Sequence, residues 1–135
     1  MAAGYSGTPL VKKLGFKAGM KVWLDAMPDT VRAEIDPDAA GVIEKSKPSA
    51  GLDAAHIFVT KRAQLEKRIA TLRDLLAPTG FIWISWPKKA SKVPTDITEQ
   101  TIRDVALPTG LVDVKVCAVD AVWSGLKLMI RKENR

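Results

Sequence analysis

Apolar positions along this chain switch repeatedly between two spacings, and the switches mark its elements. Val22-Trp23-Leu24, Ala54-Ala55-His56-Ile57-Phe58-Val59 and Phe81-Ile82-Trp83-Ile84-Ser85-Trp86 are largely apolar without alternation. That is the pattern of strands covered on both faces, as in a parallel sheet. From Thr60 the period becomes helical: Leu65, Ile69, Leu72 and Leu76 share one face, with Arg62, Glu66, Lys67, Arg73 and Asp74 opposite.

Punctuation residues set the boundaries. Thr8 can cap a short helix that starts at Pro9, and Gly15 can take the left-handed conformation that ends it. Pro28 opens a second helix through Ile35, which Asp36-Pro37-Asp38 breaks. Val42-Ile43 reads as a short strand or as the start of a loop. Ala77-Pro78-Thr79-Gly80 stops the long helix, and Pro87 closes the strand that follows. A helix is predicted near Asp96 to Leu107, with Asp96 and Glu99 as a variant capping box. Leu111 to Val119 and Val122 to Arg131 should pair as an antiparallel hairpin across Asp120-Ala121. Strands alternating with helices predict one domain over residues 1–135 with a three-layer, Rossmann-like α/β fold. Its sheet should be mostly parallel, with the hairpin at its C-terminal end.

In such a sheet, ligands bind beyond the carboxyl ends of the strands, and the exit of the first strand usually carries glycines. Here that exit reads Asp25-Ala26-Met27-Pro28-Asp29, with no glycine at all. The scaffold is legible, while the phosphate- or ribose-binding loop expected on it is missing.

Composition narrows the classes of function. The 135 residues are 47% hydrophobic, enough for a core without disulfide or metal support. Cys117 and His56 are each the only residue of their type, which excludes an intrachain disulfide and a Cys-rich metal site; no metal is expected. The start of the chain, with neither a basic stretch nor an apolar run, reads as lacking a secretory signal, and no run is long enough to span a membrane. A cytoplasmic location is the expectation. The net charge of +6 favours acidic partners, but its lysines and arginines are spread along the chain, so nucleic acid is not the expected partner.

Two resemblances add to this reading. The late half, roughly Ala54 to Arg131 with the turn Leu76-Ala77-Pro78-Thr79-Gly80, resembles the late half of class I S-adenosylmethionine-dependent methyltransferases. In that superfamily an acidic residue and a Gly-x-Gly loop follow the first strand. Asp25 matches the acidic residue, whereas Met27 and Pro28 stand where the backbone must approach the cofactor closely, so no cofactor residue is carried over. Over nearly the whole chain, the strings Tyr5 to Gly15, Trp86 to Ser91, Ala106 to Asp113, Lys115 to Leu126 and Arg131 to Arg135 are similar to the bacterial family called domain of unknown function 3052. That resemblance implies a small stand-alone bacterial protein and no particular reaction.

Several residues compete as a site. Lys88, Lys89, Ser91 and Lys92 follow a central strand at the ligand-binding edge and can hold a phosphate or carboxylate. Ser6 and Thr8 precede a helix N-terminus, where free amides favour an anion. Asp113 and Lys115 alternate to one strand face, as a simple ion pair would. Cys117 reads as a buried inert thiol, and His56 as a core residue satisfied by a backbone carbonyl. There is no Gly-x-Ser-x-Gly elbow, phosphate loop or His-Glu-x-x-His, so the sequence assigns no catalytic residue and no cofactor. The leading expectation is a non-enzymatic or regulatory domain that binds a small anionic ligand or an acidic protein partner. The alternatives are a degenerate methyltransferase, a nucleic-acid-binding protein, and a subunit whose sheet edge builds a homo-oligomer.

Overall fold

The computed structural model describes residues 8–135. Five α-helices and six strands follow in the order α1 (Leu10–Leu14), β1 (Lys21–Asp25), α2 (Asp29–Ile35), α3 (Pro37–Ala40), β2 (Ile43–Lys45), β3 (Leu52–Phe58), α4 (Arg62–Leu75), β4 (Leu76–Pro87), α5 (Glu99–Ala106), β5 (Leu111–Ala118) and β6 (Trp123–Ile130). The strands form one sheet ordered β2-β1-β3-β4-β6-β5. Its first four strands are parallel, while β6 runs antiparallel to both β4 and β5. This is the predicted three-layer, Rossmann-like arrangement with an antiparallel hairpin at the end.

Strand alternation splits the core between the two faces. Trp23, Ile57, Ile82 and Ile84 pack with Leu65, Ile69 and Leu72 of α4 and Ile102 of α5. On the other face Val22, Ala54, Phe58, Phe81 and Trp83 pack with Leu10 and Leu14 of α1 and Val31 and Ile35 of α2. The continuous apolar runs of β3 and β4 follow from this: each supplies both layers at once. Between the layers, the Trp83 indole Nε1 donates 2.8 Å to the Leu14 carbonyl, a helix-end acceptor with no partner inside its own helix.

The structure corrects several local expectations. Thr8 does not cap α1: Pro9 holds the cap position and makes no side-chain cap hydrogen bond, while Gly15 does take the left-handed conformation at φ 80°. Ala77 to Gly80 is part of β4 rather than a separate turn. Leu52 pairs with Leu76 and Ala54 with Phe81, so the extra residues bulge from the ladder. Gly80 makes this possible, because a β-carbon there would lie 2.9 and 3.0 Å from the Leu52 and Asp53 carbonyl oxygens. Backbone atoms cannot swing away as a side chain can, so Gly80→Ala should cost about 1–3 kcal/mol in urea denaturation.

Two further differences involve charged residues. Helix α5 starts at Glu99 and is capped by Thr98, whose hydroxyl accepts from the Thr101 amide at 3.2 Å. Asp96 instead accepts the Arg62 amide at 2.7 Å and so caps α4. On the hairpin, a register shift between Asp113 and Lys115 breaks the alternation that would put them on one face. Asp113 bonds Arg103 of α5 at 3.1 Å, and Lys115 faces Lys127.

Candidate functional site: the crevice between β1 and β3

In the strand order β2-β1-β3-β4, the chain goes to one side of β1 for β2 and then to the other for β3. The crevice beyond the carboxyl ends of β1 and β3 is therefore the topological switch point, where open α/β sheets bind their ligands. Its walls are the exits of these two strands.

The β1 exit has an exposed left-handed residue. Ala26 sits at φ 55°, although alanine carries a β-carbon that disfavours this region. The loop thus keeps a glycine-like backbone without a glycine. Just before it, Asp25 Oδ2 accepts a 2.7 Å hydrogen bond from Arg68 Nε, and the Arg68 guanidinium lies 5.4 Å over the Trp23 ring. This pair ties the end of β1 to α4. Among the described residues, Asp25 Oδ1 takes part in no hydrogen bond.

At the β3 exit, the Thr60 carbonyl accepts from Thr95 Oγ1 at 2.6 Å and from the Asp96 amide at 3.2 Å. Gln64 Oε1 accepts the Thr60 and Lys61 amides at 3.1 and 3.2 Å. These bonds and the Asp96 cap fold the segment before α5 back over the start of α4. The result is an open cleft of about 200 Å³ lined by Thr60, Lys61, Pro94, Thr95 and Asp96. Sequence reading did not find these residues as a group. Their signal was Asp96, whose capping chemistry was visible but whose helix lies 34 residues away.

The residues singled out from sequence are placed elsewhere. Lys88 Nζ donates 2.6 Å to the Asp120 carbonyl, fastening the β4 exit to the hairpin. The Ser91 hydroxyl donates 2.6 Å to the Lys88 carbonyl and accepts from the Val93 amide at 3.2 Å. Lys89 and Lys92 are exposed, and Lys92 adopts a left-handed backbone at φ 61°. Two of the four candidate donors are thus engaged in local structure. Thr8 is exposed, and Ser6 lies outside the described residues.

His56 is fully buried, and its Nε2 shares a 2.7 Å hydrogen bond with Ser85 Oγ rather than with a backbone carbonyl. The ring stacks on Phe58 at 4.5 Å, and Nδ1 has no partner. Burial pushes its pKa down to about 3, so the imidazole is neutral. Cys117 is half-buried, and burial raises the pKa of its thiol despite three nearby lysines. Among the described residues there is no cluster of metal-ligating side chains and no helix long and apolar enough to cross a membrane.

No protein-family model and no curated protein matches the chain. Solved structures do match. A S-adenosylmethionine-dependent methyltransferase from Aquifex aeolicus superposes with a TM-score of 0.61 at 15% identity, covering 90% of this chain and 87% of the other. The magnesium protoporphyrin IX methyltransferase of Synechocystis PCC 6803, solved with bound S-adenosylmethionine, gives 0.58 at 9% identity over 90% and 74%. A TehB-like methyltransferase from Corynebacterium glutamicum gives 0.55 at 9% identity over 96% and 91%. These neighbours overturn the expectation of a non-enzymatic or regulatory anion-binding domain, because each of the three is a methyltransferase that is S-adenosylmethionine-dependent or holds that cofactor. The fold of this chain is methyltransferase-like and Rossmann-type, across nearly its whole length.

Proposed function

We propose that the chain is a reduced S-adenosylmethionine-dependent methyltransferase that binds its cofactor in the crevice between the β1 and β3 exits. The observation that carries this reading is Ala26, held exposed and left-handed at φ 55° where a cofactor loop of this fold would carry glycine. Backbone strain of this kind persists where the surroundings impose it, and it concentrates at functional sites. The residues fit the cofactor on three counts: a backbone already turned, only a methyl group on the left-handed residue Ala26 itself, and a carboxylate oxygen of Asp25 with hydrogen-bonding capacity left.

Asp25 and the backbone of Leu24 to Met27 would hold the cofactor on one wall, and Thr60 would face it from the other. When bound, the cofactor supplies a methyl group made electrophilic by its sulfonium. Arg68 positions Asp25 through the 2.7 Å bond to its Oδ2. Thr60, Lys61, Thr95 and Asp96 form the polar cleft next to the crevice, and there they would orient the methyl acceptor. Holding reactants in register is a large part of what an enzyme contributes to a transfer reaction.

Calorimetric titration with S-adenosylmethionine and S-adenosylhomocysteine tests this reading, with NAD, ATP and phosphate as comparators. Saturable binding of the two sulfur compounds alone is expected. Ala26→Gly should tighten it, since it removes the β-carbon that limits approach while keeping the turn. A flat titration of both proteins at millimolar cofactor overturns the assignment.

A further inference from the structure

The fold gathers lysines that are far apart in sequence onto one region of the sheet. Lys115 of β5 and Lys127 of β6 are direct cross-strand partners. Like charges placed opposite each other in this way are unfavourable. Lys127 is further held 4.4 Å over the Phe81 ring. Lys88 reaches the same hairpin from the β4 exit, through its bond to the Asp120 carbonyl. Cys117 is subject to the positive charge of Lys13 of α1, of Lys88 and of Lys115.

The carboxylates nearest in the chain are withdrawn from this region. The bulge at Val114 turns Asp113 toward α5, where Arg103 binds it. The Asp120 side chain accepts the Val122 and Trp123 amides, both at 2.8 Å. Among the described residues, no carboxylate forms a salt bridge with Lys88, Lys115 or Lys127. Alongside them, Val114 and Val116 of the edge strand are each 48% exposed.

We propose that this lysine face of the β5–β6 hairpin binds nucleic acid through its phosphate backbone. The cations come from the β4 exit and from the separate strands β5 and β6, an extended source that suits a chain of phosphates better than one small anion. Lysine acts on phosphate as a point charge, so the binding is expected to be independent of base sequence. The net charge of +6 adds long-range attraction of the same sign. The inference goes beyond methyl transfer and uses none of the crevice residues.

Fluorescence anisotropy of labelled RNA and duplex DNA of about 20 nucleotides, without cofactor and at about 50 mM salt, tests it. Wild-type binding should weaken steeply with added salt. Lys115→Glu should weaken it about tenfold while raising the midpoint of thermal unfolding, because a carboxylate then faces Lys127. Lys47→Glu, beyond the far sheet edge at β2, should leave affinity nearly unchanged. Absence of binding at tens of micromolar protein overturns the proposal. So does an equal loss in Lys47→Glu, or competition by polyglutamate as effective as that by unlabelled nucleic acid. Because the assay omits cofactor, its outcome is separate from that of the cofactor titration.

Discussion

Trp83→Ala is expected to lower stability by about 3–5 kcal/mol, the range for truncating a buried aromatic residue. That is a large share of the roughly 5–15 kcal/mol that holds a typical domain folded. Trp83 is fully buried in the central strand β4, and its ring approaches β6 so closely that a β-carbon on Gly125 would lie 3.2 Å from it. Truncation leaves a cavity between the sheet and α1. It also leaves the Leu14 carbonyl without its indole donor.

Trp83→Phe separates the two effects. It keeps most of the ring and deletes the N–H, so about 1–3 kcal/mol should be lost from the unpaired carbonyl, with smaller losses from packing. Amide exchange should quicken most in α1, the five-residue helix whose last carbonyl the indole holds. Urea denaturation of both variants measures this, and an unchanged midpoint for Trp83→Phe would show that the indole bond contributes nothing.

Acid is expected to destabilise the protein well above the range where carboxylates titrate. His56 has a folded pKa near 3 against an ordinary value of 6.5. Its folded state therefore binds fewer protons than its unfolded state as pH falls below 6.5. The stability associated with neutral His56 is present in full above that pH and is lost progressively on the way down to 3. Linkage gives a loss of about 2 kcal/mol between pH 8 and pH 5 from this one residue. The cause is geometric: the ring is enclosed by Phe16, Phe58 and Trp83, its Nε2 partner is a neutral hydroxyl, and no carboxylate is near to stabilise a cation. In the double variant His56→Phe, Ser85→Ala both polar partners are removed together, so the loss between pH 8 and pH 5 should nearly vanish. Equal acid sensitivity in wild type and double variant would assign the effect to other groups.

The layered fold was legible because burial on both faces leaves a direct mark on sequence. Continuous apolar runs at β3 and β4 allowed few placements other than the centre of a parallel sheet. The helix of Arg62–Leu75 was equally readable from its one apolar face. What failed were features decided by a partner distant in sequence. Asp96 has the chemistry of a cap, but only the return of its loop to the β3 exit determines which helix it caps. Asp113 and Lys115 have the right parity for one face, and a single bulged residue between them reverses it.

The site was visible in one half. Asp25-Ala26-Met27-Pro28 could be recognised as a strand exit without glycine, yet sequence could not reveal that Ala26 holds a left-handed backbone. The lysine loop after β4 stands out in sequence by its local density of charge, whereas in the structure Lys88 and Ser91 are engaged in hydrogen bonds. Conversely, Lys88, Lys115 and Lys127 form a group only after β4, β5 and β6 are laid side by side.

The most direct test of the cofactor crevice is to follow backbone amide resonances while S-adenosylhomocysteine is added. Saturable shifts are expected, concentrated at residues 24–27 of the β1 exit and 59–61 of the β3 exit. Shifts confined to Lys88 to Lys92, or none at millimolar ligand, would contradict the crevice assignment.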